Sequence, residues 1–129
     1  MKRIMLNLGV LVMLSQNVFA NTDAEYDKLI ANESSKEWKQ SYKCVKETLN
    51  HPDTGNVNEC LKSIDLQKKN PKSGLNIAIT YLNTGVLYER SVKDYIKAYK
   101  YYIKAGKLGN THSQSNLDIL CNAHAWVCK

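Results

Sequence analysis

Four cysteines and three histidines are the most reactive side chains in this 129-residue sequence. Their densest grouping is Cys121-x-x-His124-x-x-x-Cys128. Together with His112 it offers two thiolates and two imidazoles, ligand types that zinc accepts in tetrahedral sites. The spacing matches no common zinc fingerprint. An even number of cysteines in a small exported chain points instead to disulfides, and four cysteines permit three pairings. One pairing has a geometric argument. Cys44 and Cys60 are equidistant in sequence from Pro52, so two helices folding back about His51-Pro52-Asp53-Thr54-Gly55 set them side by side. That bond closes a loop of about fifteen residues and contributes on the order of 3 kcal/mol. The expectation is therefore disulfide cysteines and no metal.

Other chemistry is harder to assemble. Ser34, Ser35, Ser113 and Ser115 lack the flanking glycines of a nucleophile elbow. His51 and His112 lie beside helix boundaries, where polar residues are ordinary. Asp23, Glu25 and Asp27 alternate at a helix start, where acids complement the helix dipole. With neither an activated nucleophile nor paired acids, the expectation is a protein that is not an enzyme and uses no cofactor.

The elements that hold these residues read as helices. Trp38, Tyr42, Val45 and Leu49 form one apolar stripe, and Val57, Leu61 and Ile64 another. Asn56 with Glu59 three residues on predicts a capping box. Leu75, Ile79, Leu82 and Val86 keep the helical period, as do Tyr95, Ala98, Tyr99, Tyr102 and Ala105. Gly109 supplies a C-terminal stop, and Asn110 caps the next helix. The boundaries run from about Lys36 to Asn50, Val57 to Lys69, Asn70-Pro71 to Glu89, Asp94 to Leu108 and Thr111 to Cys121. Asn21 to Glu33 is a short first helix or a frayed start.

The first twenty residues read as a targeting signal. Lys2 and Arg3 precede an apolar stretch from Ile4 to Leu14, and Val18-Phe19-Ala20 carries small residues where a signal peptidase cuts. The stretch is too short to span about 30 Å of hydrocarbon as a helix. Residues 1–20 are thus expected to be a cleaved signal peptide and 21–129 one domain, exported and without stable membrane insertion. Without Lys2 and Arg3 the formal charge falls from +6 to +4, which does not make a nucleic-acid footprint. The runs Lys68-Lys69 and Lys97/Lys100/Lys104 read as solvated helix faces that could steer an acidic partner.

One stretch carries more than periodicity. Asn83, Gly85, Val86, Leu87 and Tyr88 are followed by Asp94, Tyr95, Ala98, Tyr101, Tyr102, Ala105, Gly106 and Gly109. The pattern restarts at Ser113, Gln114, Asn116, Leu117, Ile119 and Leu120. This resembles the Sel-like repeat, a relative of the tetratricopeptide repeat, over about residues 78–121. Thr84, Asp118 and Cys121 depart from the pattern, and the inter-helix loop is shorter and lacks its G-x-G. The resemblance implies an all-α, short α-solenoid of antiparallel helix hairpins with about five helices, stapled by disulfides. It also makes a Cys121–Cys128 bond familiar, since cysteine-rich members carry short-spaced disulfides. Seven residues of continuous helix rise about 10.5 Å, so this bond requires the chain to turn back within Asn122–Trp126.

Such repeats bind partner proteins, usually along the concave side made by first helices. By that resemblance the partner-binding positions are Asn76, Thr80, Asn83 and Thr84, polar residues facing away from the Leu75/Ile79/Leu82 stripe. Short exported members resemble periplasmic immunity proteins that block envelope-targeting toxins, often those delivered by type VI secretion. The implied partner is a cognate bacterial toxin, met in the periplasm. The alternative is a secreted or periplasmic adaptor related to virulence.

Overall fold

A computed structural model describes residues 21–129; the expected signal segment lies outside the described residues. Six α-helices are arranged in succession, and among the described residues there are no strands. Helix α1, Asp23–Asn32, is well made at its start. Thr22 Oγ1 accepts from the Glu25 backbone N–H at 3.1 Å, and Glu25 Oε1 accepts from the Thr22 N–H at 2.7 Å. This reciprocal cap satisfies two donors that the first helical turn leaves open, and makes α1 a helix additional to the five expected. Helix α2, Lys36–Asn50, begins at Ser35, whose hydroxyl accepts from the Trp38 N–H.

Helix α3 spans Val57–Lys69, but the capping box expected at Asn56 and Glu59 does not form. Asn56 accepts from the Asn58 N–H, and its own N–H goes to Glu47 Oε1 at 2.8 Å. Glu59 is drawn instead to Gln40, whose amide donates to Glu59 Oε1 at 2.7 Å and to the Glu59 carbonyl at 2.8 Å. The next helix, expected from Pro71, starts later. Pro71–Ser73 makes only a 3-10 turn, Gly74 adopts a left-handed φ of 88°, and α4 runs from Ile77 to Leu87. A π-helical turn, Tyr88–Val92, then leads to α5, Tyr95–Lys107, capped by Asp94. Gly109, at φ 93°, ends that segment, and α6 covers Ser113–Ala123. A 3-10 turn at Ala125–Cys128 follows it.

Each helix packs on its neighbours in sequence, and α2 also reaches α4. Helix α4 is the hub, with every residue from Ala78 to Tyr88 buried. The main core joins Ile64 of α3, Leu82 and Val86 of α4, Ala98, Tyr102 and Ala105 of α5, and Leu117 and Leu120 of α6. Gly85 lets α4 and α5 approach closely: a Cβ there would lie 2.6 Å from the Tyr102 ring. Tyr102 is 1 % exposed and donates its hydroxyl to Glu89 Oε1 at 2.6 Å. No helix among the described residues is long and apolar enough to cross a membrane.

Candidate functional site

Both cysteine pairs are joined. Cys44 in α2 bonds Cys60 in α3 with Cα atoms 4.5 Å apart, and both are buried beside Leu87. Cys121 bonds Cys128 across 5.8 Å, because the chain leaves α6 at His124 and folds back through the final 3-10 turn. The zinc reading therefore loses its two thiolates. His124 is engaged too: its ring stacks on Tyr95 with centroids 3.7 Å apart, fastening the tail to the start of α5.

The four partner-binding positions do not form an exposed face, which corrects the orientation expected for them. Asn76 alone is exposed, and it caps α4 by accepting from the Ala78 N–H at 3.0 Å. Thr80, Asn83 and Thr84 are 4 %, 1 % and 0 % exposed. Thr80 Oγ1 accepts from Gln67 at 2.7 Å, while Thr84 Oγ1 donates back to the Thr80 carbonyl at 2.6 Å. The reason is the position of α4. A helix covered by α2, α3 and α5 has little solvent side, so Thr80 turns to Gln67 of α3 and Thr84 to the backbone of its own helix.

The titratable clusters are likewise engaged in structure. His51 Nε2 lies 2.7 Å from Asp23 Oδ2, and Asn50 donates to Asp23 Oδ1 at 2.9 Å, tying the start of α1 to the end of α2. Hydrogen bonds from Asn50 and then His51 hold the Asp23 carboxyl below its ordinary value. A cleft of about 320 Å³ is lined by Asp27, Ile30, Ala31, Lys43, Lys46, Glu47 and Glu59. Its charges serve the fold: Lys46 pairs with Asp27 at 2.8 Å, Glu47 accepts from the Asn56 N–H, and Glu59 accepts from Gln40. Buried Tyr26 anchors α1, and desolvation pushes its phenol up to about 12.

A different surface emerges on α5, where lysines and Tyr101 cover the nearly buried Tyr81 and Tyr88. Tyr88 and Tyr101 stack with centroids 5.5 Å apart and planes 18° from parallel, and Tyr81 lies 6.0 Å from Tyr101. Lys97 Nζ sits 5.5 Å over Tyr88, and Lys104 Nζ sits 5.2 Å over Tyr101 and 5.6 Å over Tyr81. Burial raises the Tyr101 phenol, with Tyr88 adding to it and nearby Lys68 opposing. The signal was present in the sequence as Lys97, Tyr101, Lys104 and Leu108, which fall on one helical face. Reading the lysines as solvated and the tyrosines as packing separates residues that belong together.

The exposed apolar residues are also unevenly placed. Val92, Ile96, Leu108, Ile119 and Trp126 are 48–60 % exposed, and among the described residues no other large apolar side chain is comparably open. All five lie in the last third of the chain. A comparison with family models, characterised proteins and solved structures finds no match to this chain.

Proposed function

We propose that this protein is a periplasmic binding module that neutralises a co-encoded, envelope-targeting toxin by direct contact, and that it performs no hydrolysis itself. The observation that carries the reading is the exposure of Val92, Ile96, Leu108, Ile119 and Trp126 from Val92 onward. Large apolar side chains cost free energy in water, and five of them on the last elements of a small chain supply anchors that a partner can cover. Aromatic and aliphatic anchors of this kind dominate binding energy where they become fully desolvated.

Helices that pack chiefly on their sequence neighbours support the solenoid reading, in which α2 with α3 and α4 with α5 are taken as its hairpins and α6 opens a further one. The bonds Cys44–Cys60 and Cys121–Cys128 support export to an oxidising compartment. A stable inhibitory complex buries about 1,200–2,000 Å² in total. The exposed faces of α5, α6 and the tail are the accessible source of such an area, which moves the contact away from Thr80, Asn83 and Thr84.

The test is protection. The toxin encoded beside this protein is expressed in the periplasm with and without it, and with a version lacking Met1 to Ala20. The expected result is survival only with the exported form. Survival without export, or no protection at all, overturns the immunity reading.

A further inference from the structure

We propose that the face formed by Lys68, Tyr81, Tyr88, Lys97, Tyr101 and Lys104 is a docking surface for an acidic protein partner. This deepens the reading above and rests on it, since it names the chemistry of the surface the partner presents. The first argument is charge distribution. Residues 61–107 contain ten lysines and arginines against three acids, a formal +7, whereas residues 21–60 contain five against eight, a formal −3. A modest net charge thus conceals an uneven division along the chain, and Lys68, Lys97 and Lys104 of the basic stretch gather beside the tyrosine cluster, where cations steer partners of the opposite sign.

The second argument is that the lysines of this face are not neutralised internally, although Arg90 of the same stretch pairs with Asp53 at 2.8 Å. Asp65 pairs with Lys69 at 3.0 Å, Glu89 accepts from the Tyr102 hydroxyl, and Asp94 caps α5 by accepting from the Lys97 backbone N–H. The three acids of the region are committed, and no carboxylate among the described residues pairs with Lys68, Lys97 or Lys104. Lys97 and Lys104 lie across the tyrosine rings, which holds their ammonium groups at defined places. Preorganised cations over an aromatic floor lose less side-chain freedom on binding than free lysines do.

The third argument separates partner classes. Single-stranded nucleic acid needs aromatic faces on which bases can stack. Here Tyr88 and Tyr101 stack on each other, and Lys97 and Lys104 cover rings of the cluster, so the platform is already occupied. A membrane surface needs a band of apolar side chains that enter the lipid beside the cations, whereas the side chains beside these cations are tyrosines, 7 % exposed at positions 81 and 88, with a single leucine, Leu108, at the edge. Exposed Leu108, on the same face as Lys104, supplies an apolar contact of the size that protein interfaces use.

The test measures binding of the oxidised, exported protein to poly-L-glutamate, to an oligothymidylate and to phosphatidylglycerol vesicles at one ionic strength. The variant Lys97→Glu/Lys104→Glu is compared with Lys28→Glu/Lys43→Glu, which changes net charge equally on exposed sites of α1 and α2. Unchanged melting temperatures establish that both variants fold. The expected result is polyglutamate binding at least tenfold weaker in the first variant and within twofold of wild type in the second. Equal losses in the two variants, or tighter binding to the oligonucleotide or vesicles, overturn the proposal. The protection assay then distinguishes the two levels. A wild type that protects beside a Lys97→Glu/Lys104→Glu variant that protects equally well refutes this face alone, while a wild type that fails to protect refutes the immunity reading whatever polyglutamate does.

Discussion

At the scale of single residues, one of the closest fits among the described residues is Gly85 against Tyr102. A methyl group on Gly85 would stand 2.6 Å from two atoms of the ring. Tyr102 cannot swing aside, because its ring is fully buried and its hydroxyl is held by Glu89. Burial first, and then the charge of Glu89, pushes that phenol well above its ordinary value, so it remains a donor throughout the working pH range. Gly85→Ala should therefore cost about 1–3 kcal/mol through overpacking. Tyr102→Ala should cost about 3–5 kcal/mol through the cavity it leaves. Lys100→Ala, at an exposed position outside the tyrosine cluster, should stay within about 0.5 kcal/mol of wild type. Urea unfolding midpoints order the three variants; equal midpoints would mean that the α4–α5 seam contributes little to stability.

At the scale of elements, the reversal between α4 and α5 has a feature that residue patterns do not announce. The segment lacks glycine, and Lys93 takes the left-handed conformation at φ 63° so that the Asp94 N–H can reach the Tyr88 carbonyl at 2.8 Å. A side chain with a Cβ costs roughly 1–2 kcal/mol in that region, and glycine does not. Lys93→Gly should raise stability by about 1 kcal/mol, and Lys93→Val should lower it by at least as much, since a β-branched residue fits that region worst. Thermal melts of the two variants against wild type test this. A Lys93→Gly variant that melts lower would show that the loop gains more from restricted unfolded states than it loses in strain.

Legibility in the sequence divides along the same line between local signals and packing. Helices α2, α3 and α5 were readable to within a residue, because apolar stripes and end signals such as Asp94 and Gly109 agree. The Cys44–Cys60 bond was readable because a turn at Pro52 fixes a local symmetry. The signature Thr22-x-x-Glu25 stands in the sequence, but reading Asp23, Glu25 and Asp27 only as acids at a helix start does not single out its N-cap. The burial of Thr80, Asn83 and Thr84 was not readable. Periodicity on α4 identifies one apolar side, but whether the other side meets water depends on what α2 and α3 cover, and that is a property of the packed whole.

At the scale of the whole molecule, stability should be unevenly distributed along the chain. The main core runs from α3 to α6 and includes ten buried residues, whereas the buried cluster around Cys44 and Cys60 adds only Leu87. Helix α1 is attached through buried Tyr26, the Lys46–Asp27 pair and the Asp23 contacts with Asn50 and His51, most of them part-exposed. The disulfide is thus the main covalent restraint on the N-terminal helices, and the larger apolar core carries the rest. The two bonds also differ in access. Cys121 and Cys128 are half-buried near the surface, while Cys44 and Cys60 are 1 % and 0 % exposed. A dithiol should therefore reduce Cys121–Cys128 first, with Cys44–Cys60 opening only when α2 and α3 part. Iodoacetamide labelling and subsequent mass mapping read that order. Hydrogen exchange on the fully reduced protein should then show α1 and α2 losing protection before α4 and α5, because local opening tracks the density of buried contacts. Uniform loss across all six helices would mean that the small N-terminal cluster and the large core unfold as one unit, and that the Cys44–Cys60 bond supports the entire molecule.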